Sequence, residues 1–82
     1  MNTFILDSEA LTDAVSIGNQ DAYNEMLKLA EEYLQNGGKV DYGYYYFDSL
    51  NNNQKEFQKL MSWSSVAEFL KWKEEAAPRF LS

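Results

Sequence analysis

The sequence predicts a mainly helical single domain over residues 1–82: a small bundle of about four helices. A short two-stranded β pairing, and so an α+β arrangement, is the alternative. Three observations carry that expectation. Residues 21–35 hold the clearest amphipathic helical pattern in the chain. Three other stretches, 8–17, 54–61 and 66–77, repeat apolar residues at three- and four-residue spacing. With 82 residues, 45% hydrophobic and 16% aromatic, the chain can build one core and is too apolar to stay disordered.

Thr3-Phe4-Ile5-Leu6 is a short apolar run, either a brief strand or a hydrophobic lead-in. Asp7 and Ser8 are N-cap residues, and Glu9 suits a helix N-terminus. Leu11, Ala14 and Val15 follow on one face, so a helix is expected from Ser8 to Ile17, closed by Gly18. Asn19 is the next cap. Over residues 21–35, Ala22, Tyr23, Met26, Leu27, Ala30, Tyr33 and Leu34 form one stripe, with the charged residues opposite. Asn36-Gly37-Gly38 stops this helix, because glycine takes a left-handed cap without steric cost.

Tyr42-Gly43-Tyr44-Tyr45-Tyr46-Phe47 is the stretch on which the rest depends. It holds five of the thirteen aromatic residues, each able to bury roughly 150–250 Å². It is therefore either the middle of the core or an exposed contact surface. Alternation puts Val40, Tyr42, Tyr44 and Tyr46 on one face of a strand, whereas Asp41 can cap a helix running to Leu50. The expectation is an extended segment that turns helical near Tyr45, pairing where extended with Thr3–Leu6.

Asp48 to Asn53 reads as a loop. Gln54 to Met61 reads as a helix, with Phe57, Leu60 and Met61 inward and Lys55, Glu56 and Lys59 outward. Ser65-Val66-Ala67-Glu68 matches a capping box and opens a last helix from Val66 to about Ala77. Pro78 is expected to end it, and Phe80 and Leu81 to dock back onto the bundle. Trp63 and Trp72 are expected to be core anchors.

Composition excludes whole classes of function. There is no Cys, hence no disulfide or thiol chemistry, and no His, the commonest general base and metal ligand at neutral pH. No metal-ligand spacing, catalytic constellation or phosphate loop is present. Glu31-Glu32 and Glu74-Glu75 are adjacent helical residues that point to different sides, unlike a carboxylate pair held across a cleft. Residues 41–53 lack the acids of a calcium loop. The expectation is a non-enzymatic protein with no cofactor and no metal. No apolar run approaches the roughly 18–20 residues of a membrane span, and Met1 to Asp7 has no basic region of the kind a signal peptide needs. A cytoplasmic location, away from membranes, is the corresponding expectation.

The net charge is −6, and all of it falls in residues 1–38, where seven acids face Lys28 alone; residues 39–82 carry six acids and six bases. Such a half repels phosphate backbones and attracts basic surfaces. Asp21, Glu25 and Glu32 line one helical face, and a four-residue step of about 6 Å is close to phosphate spacing on a nucleic-acid strand. The expected function is an acidic protein-binding module: an inhibitor or adaptor docking on the basic surface of a larger protein, with a nucleic-acid-binding enzyme as one candidate partner. The acidic, catalysis-free profile resembles that of many small phage or mobile-element proteins that inhibit a larger enzyme, a resemblance that no motif carries, and charge mimicry of nucleic acid is the mechanism it implies. The expected contact residues are Asp21, Glu25, Glu32, Tyr44 and Tyr45. The alternative is a structural or assembly protein that forms a homodimer through its aromatic run. Direct nucleic-acid binding is not expected, because stacking platforms need a positive groove and only Lys39 neighbours the tyrosines in sequence.

Overall fold

The computed structural model describes the backbone over residues 2–81 and side chains over residues 2–76. Thr3–Asp7 is strand β1. Asp7 ends it and caps the helix that follows, its carboxylate accepting the Glu9 amide at 3.0 Å. That supplies one of the partners a helix start lacks. Helix α1 runs Ser8–Ser16 and buries Leu11 and Ala14. Gly18 turns the chain with φ +73°, and the Asn19 side chain then caps helix α2, Gln20–Gln35, accepting from the Ala22 amide. Tyr23, Leu27, Ala30 and Leu34 of α2 are buried, as the spacing predicts. The helix closes in a Schellman arrangement. The Gly38 amide donates to the Tyr33 carbonyl at 2.8 Å and the Gly37 amide to the Leu34 carbonyl at 3.1 Å.

Strand β2, Lys39–Asp48, comes next, followed by a single 3-10 turn at Ser49–Asn51, strand β3 at Gln54–Trp63 and helix α3 at Val66–Leu81. The sheet order is β1-β2-β3. β1 runs parallel to β2 from Thr3↔Lys39 to Asp7↔Gly43, and α1 with α2 supplies the long crossover that a parallel pair requires. β2 and β3 are antiparallel from Val40↔Trp63 to Asp48↔Gln54.

Among the described residues the molecule is therefore α+β, with three helices and a three-stranded mixed sheet, 52% helical and 33% strand, and not a four-helix bundle. The expected helix over Gln54–Met61 is β3. Asn52 and Asn53 decide this, since both adopt left-handed backbone, φ 57° and 56°. Two such residues in succession reverse the chain and lay it along β2. Pairing then satisfies the backbone of both strands, and the weak helical spacing of a polar segment does not compete. Consequently Phe57 is only half-buried, and Leu60 and Met61 are exposed. The tyrosine run does not turn helical near Tyr45; it stays extended to Asp48. Pro78 does not end α3. The carbonyl it leaves without an amide partner is that of Glu74, an exposed residue, which can turn to water. The docking expected of Phe80 and Leu81 lies outside the described side chains.

All three helices cover one face of the sheet. Leu6, Val40 and Trp63, one from each strand, meet Leu11, Leu27 and Phe69, one from each helix, in a single core. Trp63 and Trp72 are core anchors as expected: with Tyr42 and Phe69 they form an aromatic group whose centroids lie 4.8–6.0 Å apart. The other face of the sheet carries no helix. Its surface is polar at the base of β2, where Lys39 lies 3.8 Å from Asp41 and the Ser62 hydroxyl donates to Asp41 at 2.7 Å.

Candidate functional site

β1 pairs with β2 only as far as Gly43. Beyond that point Tyr44–Asp48 and Gln54–Gln58 continue as a two-stranded arm. The arm begins at an irregularity: Tyr42 faces Met61 and Gly43 faces Lys59, so Leu60 is an extra residue on β3. Such a bulge twists a hairpin and re-aims it. Alternation along the arm sorts its rings. Tyr45 sits on the face without helices, with the Phe57 ring 5.0 Å away and the Lys55 ammonium 4.7 Å above it. Tyr44 and Tyr46 share the other face, 6.4 Å apart. At the tip, Phe47 is 71% exposed and Leu50 97% exposed. Single exposed apolar residues are ordinary, but a group at the end of a projecting hairpin is a candidate contact surface.

The second candidate surface is electrostatic. The three helices carry nine carboxylates against Lys28, Lys71 and Lys73, a net of −6 over their described side chains, whereas the strands and connections carry four carboxylates against three lysines. Arg79 completes the total. Asp21, Glu25 and Glu32 are all exposed on α2, turned away from the sheet. No Glu25–Lys28 ion pair forms among the described residues, leaving the row open to solvent. No charged side chain among the described residues is buried, and no group of three or more acids is arranged to hold a metal ion.

The third feature is an open groove of about 500 Å³ at the carboxyl end of α2, lined by Asn2, Leu29, Glu32, Tyr33, Asn36, Gly37 and Gly38. It lies at the end of the sheet remote from the arm tip, since β2 starts beside it at Lys39 and runs away from it. Burial pushes the Tyr23 hydroxyl above its ordinary 10.0. Burial also raises Tyr42, partly offset by the Ser8 hydroxyl. Both belong to the core.

The five residues expected to make contact therefore fall into separate places. Asp21, Glu25 and Glu32 share the outer surface of the helix layer. Tyr45 faces the opposite side of the molecule, and Tyr44 lies on the arm between the two. One flat partner surface cannot touch the acid row and Tyr45 together. Sequence reasoning included Phe47 in the aromatic run but missed Leu50 and Lys55, because their grouping with it exists only once β3 folds back on β2. The pair of asparagines before Gln54 was the signal available for that hairpin. Compared with protein families, curated proteins and solved structures, the chain matches none. Those comparisons lend no support to an inhibitor role, a phage origin or nucleic-acid mimicry. No helix among the described residues is long and apolar enough to cross a membrane.

Proposed function

We propose that this protein is a non-enzymatic binding module that docks its acidic helix layer on a basic surface of a larger protein. The observation that carries this reading is the segregation of charge: the helices hold a net −5 and the rest of the chain only −1. A one-sided field of this kind steers encounter with an oppositely charged partner and acts mainly on the association rate. Asp21, Glu25 and Glu32 form the centre of the surface. They are exposed and without lysine partners on the helix, so their charge is available to a partner instead of being neutralised internally.

The test uses the immobilised protein to capture partners from a lysate of its source cells, with wild type compared against the Asp21→Lys, Glu25→Lys double variant. The expected result is one or more basic proteins that elute as salt rises from about 50 to 300 mM and are not captured by the double variant. Capture that is insensitive to salt and to the reversals would overturn the reading.

A further inference from the structure

The arm tip and the groove at the far end of the sheet are complementary in polarity and charge, and we propose that they form two halves of one interface, the tip of one copy of this chain seating in the groove of a second copy.

The tip presents Phe47 and Leu50, 71% and 97% exposed, with Lys55 directly opposite Phe47 in the strand register. These two side chains bury little or nothing in the monomer, so the fold gives no reason for their position. The groove supplies what they lack. Its apolar wall is Leu29 and the half-buried Tyr33, and its volume of about 500 Å³ admits a large side chain. A Cβ on Gly38 would lie 2.8 Å from the Tyr33 carbonyl oxygen, so glycine fits the close backbone packing beside the groove. The rim is Glu32, exposed, at the carboxyl end of α2, whose last turn holds no basic residue. A helix end of that polarity favours a cation, and among the described residues no cation of its own chain is paired there. Lys55 arrives with the tip.

The contact must be intermolecular. β2 starts at the groove and ends at the tip, and ten strand residues span about 33 Å. A rigid strand of that length keeps a tip away from its own groove. Edge-to-edge pairing through β3 is the competing route to a dimer, and the sequence opposes it: Lys55 and Lys59 stand on that strand and the Leu60 irregularity bends it. A tip-in-groove contact is head to tail. It closes on two copies lying antiparallel, or grows into longer chains.

Net charge sets the sign of the salt effect. Two copies of −6 each repel, but screening acts over about 8 Å at physiological ionic strength, short against a molecule 38 Å long. Self-association should therefore strengthen as salt rises from about 10 to 150 mM. Docking on a basic partner weakens over the same range, so the two readings fail separately.

Sedimentation velocity across micromolar to millimolar protein tests the proposal, with circular dichroism as the check on folding. Wild type should gain mean mass with concentration, more so at the higher salt. Phe47→Ser with Leu50→Ser should remain monomeric. Lys55→Glu and Glu32→Lys should each weaken association by about tenfold, and the two reversals in one chain should restore it. Asp21→Lys with Glu25→Lys should leave association in place. A wild type that stays monomeric throughout overturns the proposal. So does association that survives the tip substitutions, or that depends on the tip yet ignores Glu32 and the restoring pair.

Discussion

Gly43 occupies a position no other residue can fill. A Cβ there would run into the Gln58 carbonyl oxygen and lie 2.9 Å from the Phe57 ring. Its φ is not the reason; the reason is the close approach of β3 at the irregularity where Leu60 is inserted. Gly43→Ala should cost about 1–3 kcal/mol, seen in a small domain as a fall in Tm of about 4–8 °C per kcal/mol. A variant melting with wild type would mean the two strands separate there without penalty. The tyrosine pair in the core makes a second prediction. Tyr23 and Tyr42 are raised above 10.0 by burial. In the unfolded chain they ionise at the ordinary value, so above it the unfolded state binds fewer protons than the folded state. Stability is then full below about pH 10 and falls as pH rises further. Urea midpoints measured between about pH 8 and 11.5 should show this decline, and Tyr42→Phe should make it shallower.

At the scale of elements, α2 and the β2–β3 hairpin carry the fold. Leu27 is 3% exposed and belongs to the core cluster, so Leu27→Ala should cost about 2–5 kcal/mol. In a domain of this size such a loss unfolds much of the population, and a melting point within a degree or two of wild type would contradict the packing. The hairpin depends on Asn52 and Asn53 in left-handed backbone. A β-branched residue at either position should cost about 1–2 kcal/mol, whereas glycine should be neutral. Chemical denaturation of Asn53→Val beside Asn53→Gly checks this directly.

At the scale of the whole molecule, the layout separates two kinds of contact. The helix layer is the charged surface, and the arm is the apolar one. Reversing Asp21 and Glu25 to Lys should shift stability by less than about 1 kcal/mol, since exposed charges contribute little to folding. The same change should weaken partner capture strongly. The global charge of −6 bears on nucleic acid as well. An anisotropy titration with labelled single-stranded DNA at about 150 mM salt should stay flat, because thirteen acids outnumber seven bases and the net charge repels phosphates.

What the sequence determined by itself is local or additive. The caps at Asp7 and Asn19, the glycine stops at Gly18 and Gly37 and the buried stripe of α2 follow from backbone chemistry and a period of 3.6, and each was legible residue by residue. The acid row Asp21, Glu25 and Glu32 was legible for the same reason, because one regular helix fixes which side chains share a side. The tertiary structure alone decided the rest. Gln54–Met61 has helical spacing and becomes a strand; Tyr44 to Phe47 favours a strand, but its extension to Asp48 is set by pairing with β3; and Lys55 sits over Tyr45 although ten positions separate them. These outcomes rest on pairing between segments, whose energy appears only when both strands are present and a turn has brought them together. A pattern within one segment cannot record that partnership, which is why the acid row and the aromatic run could be read from the sequence and the hairpin arm that β3 builds with that run could not.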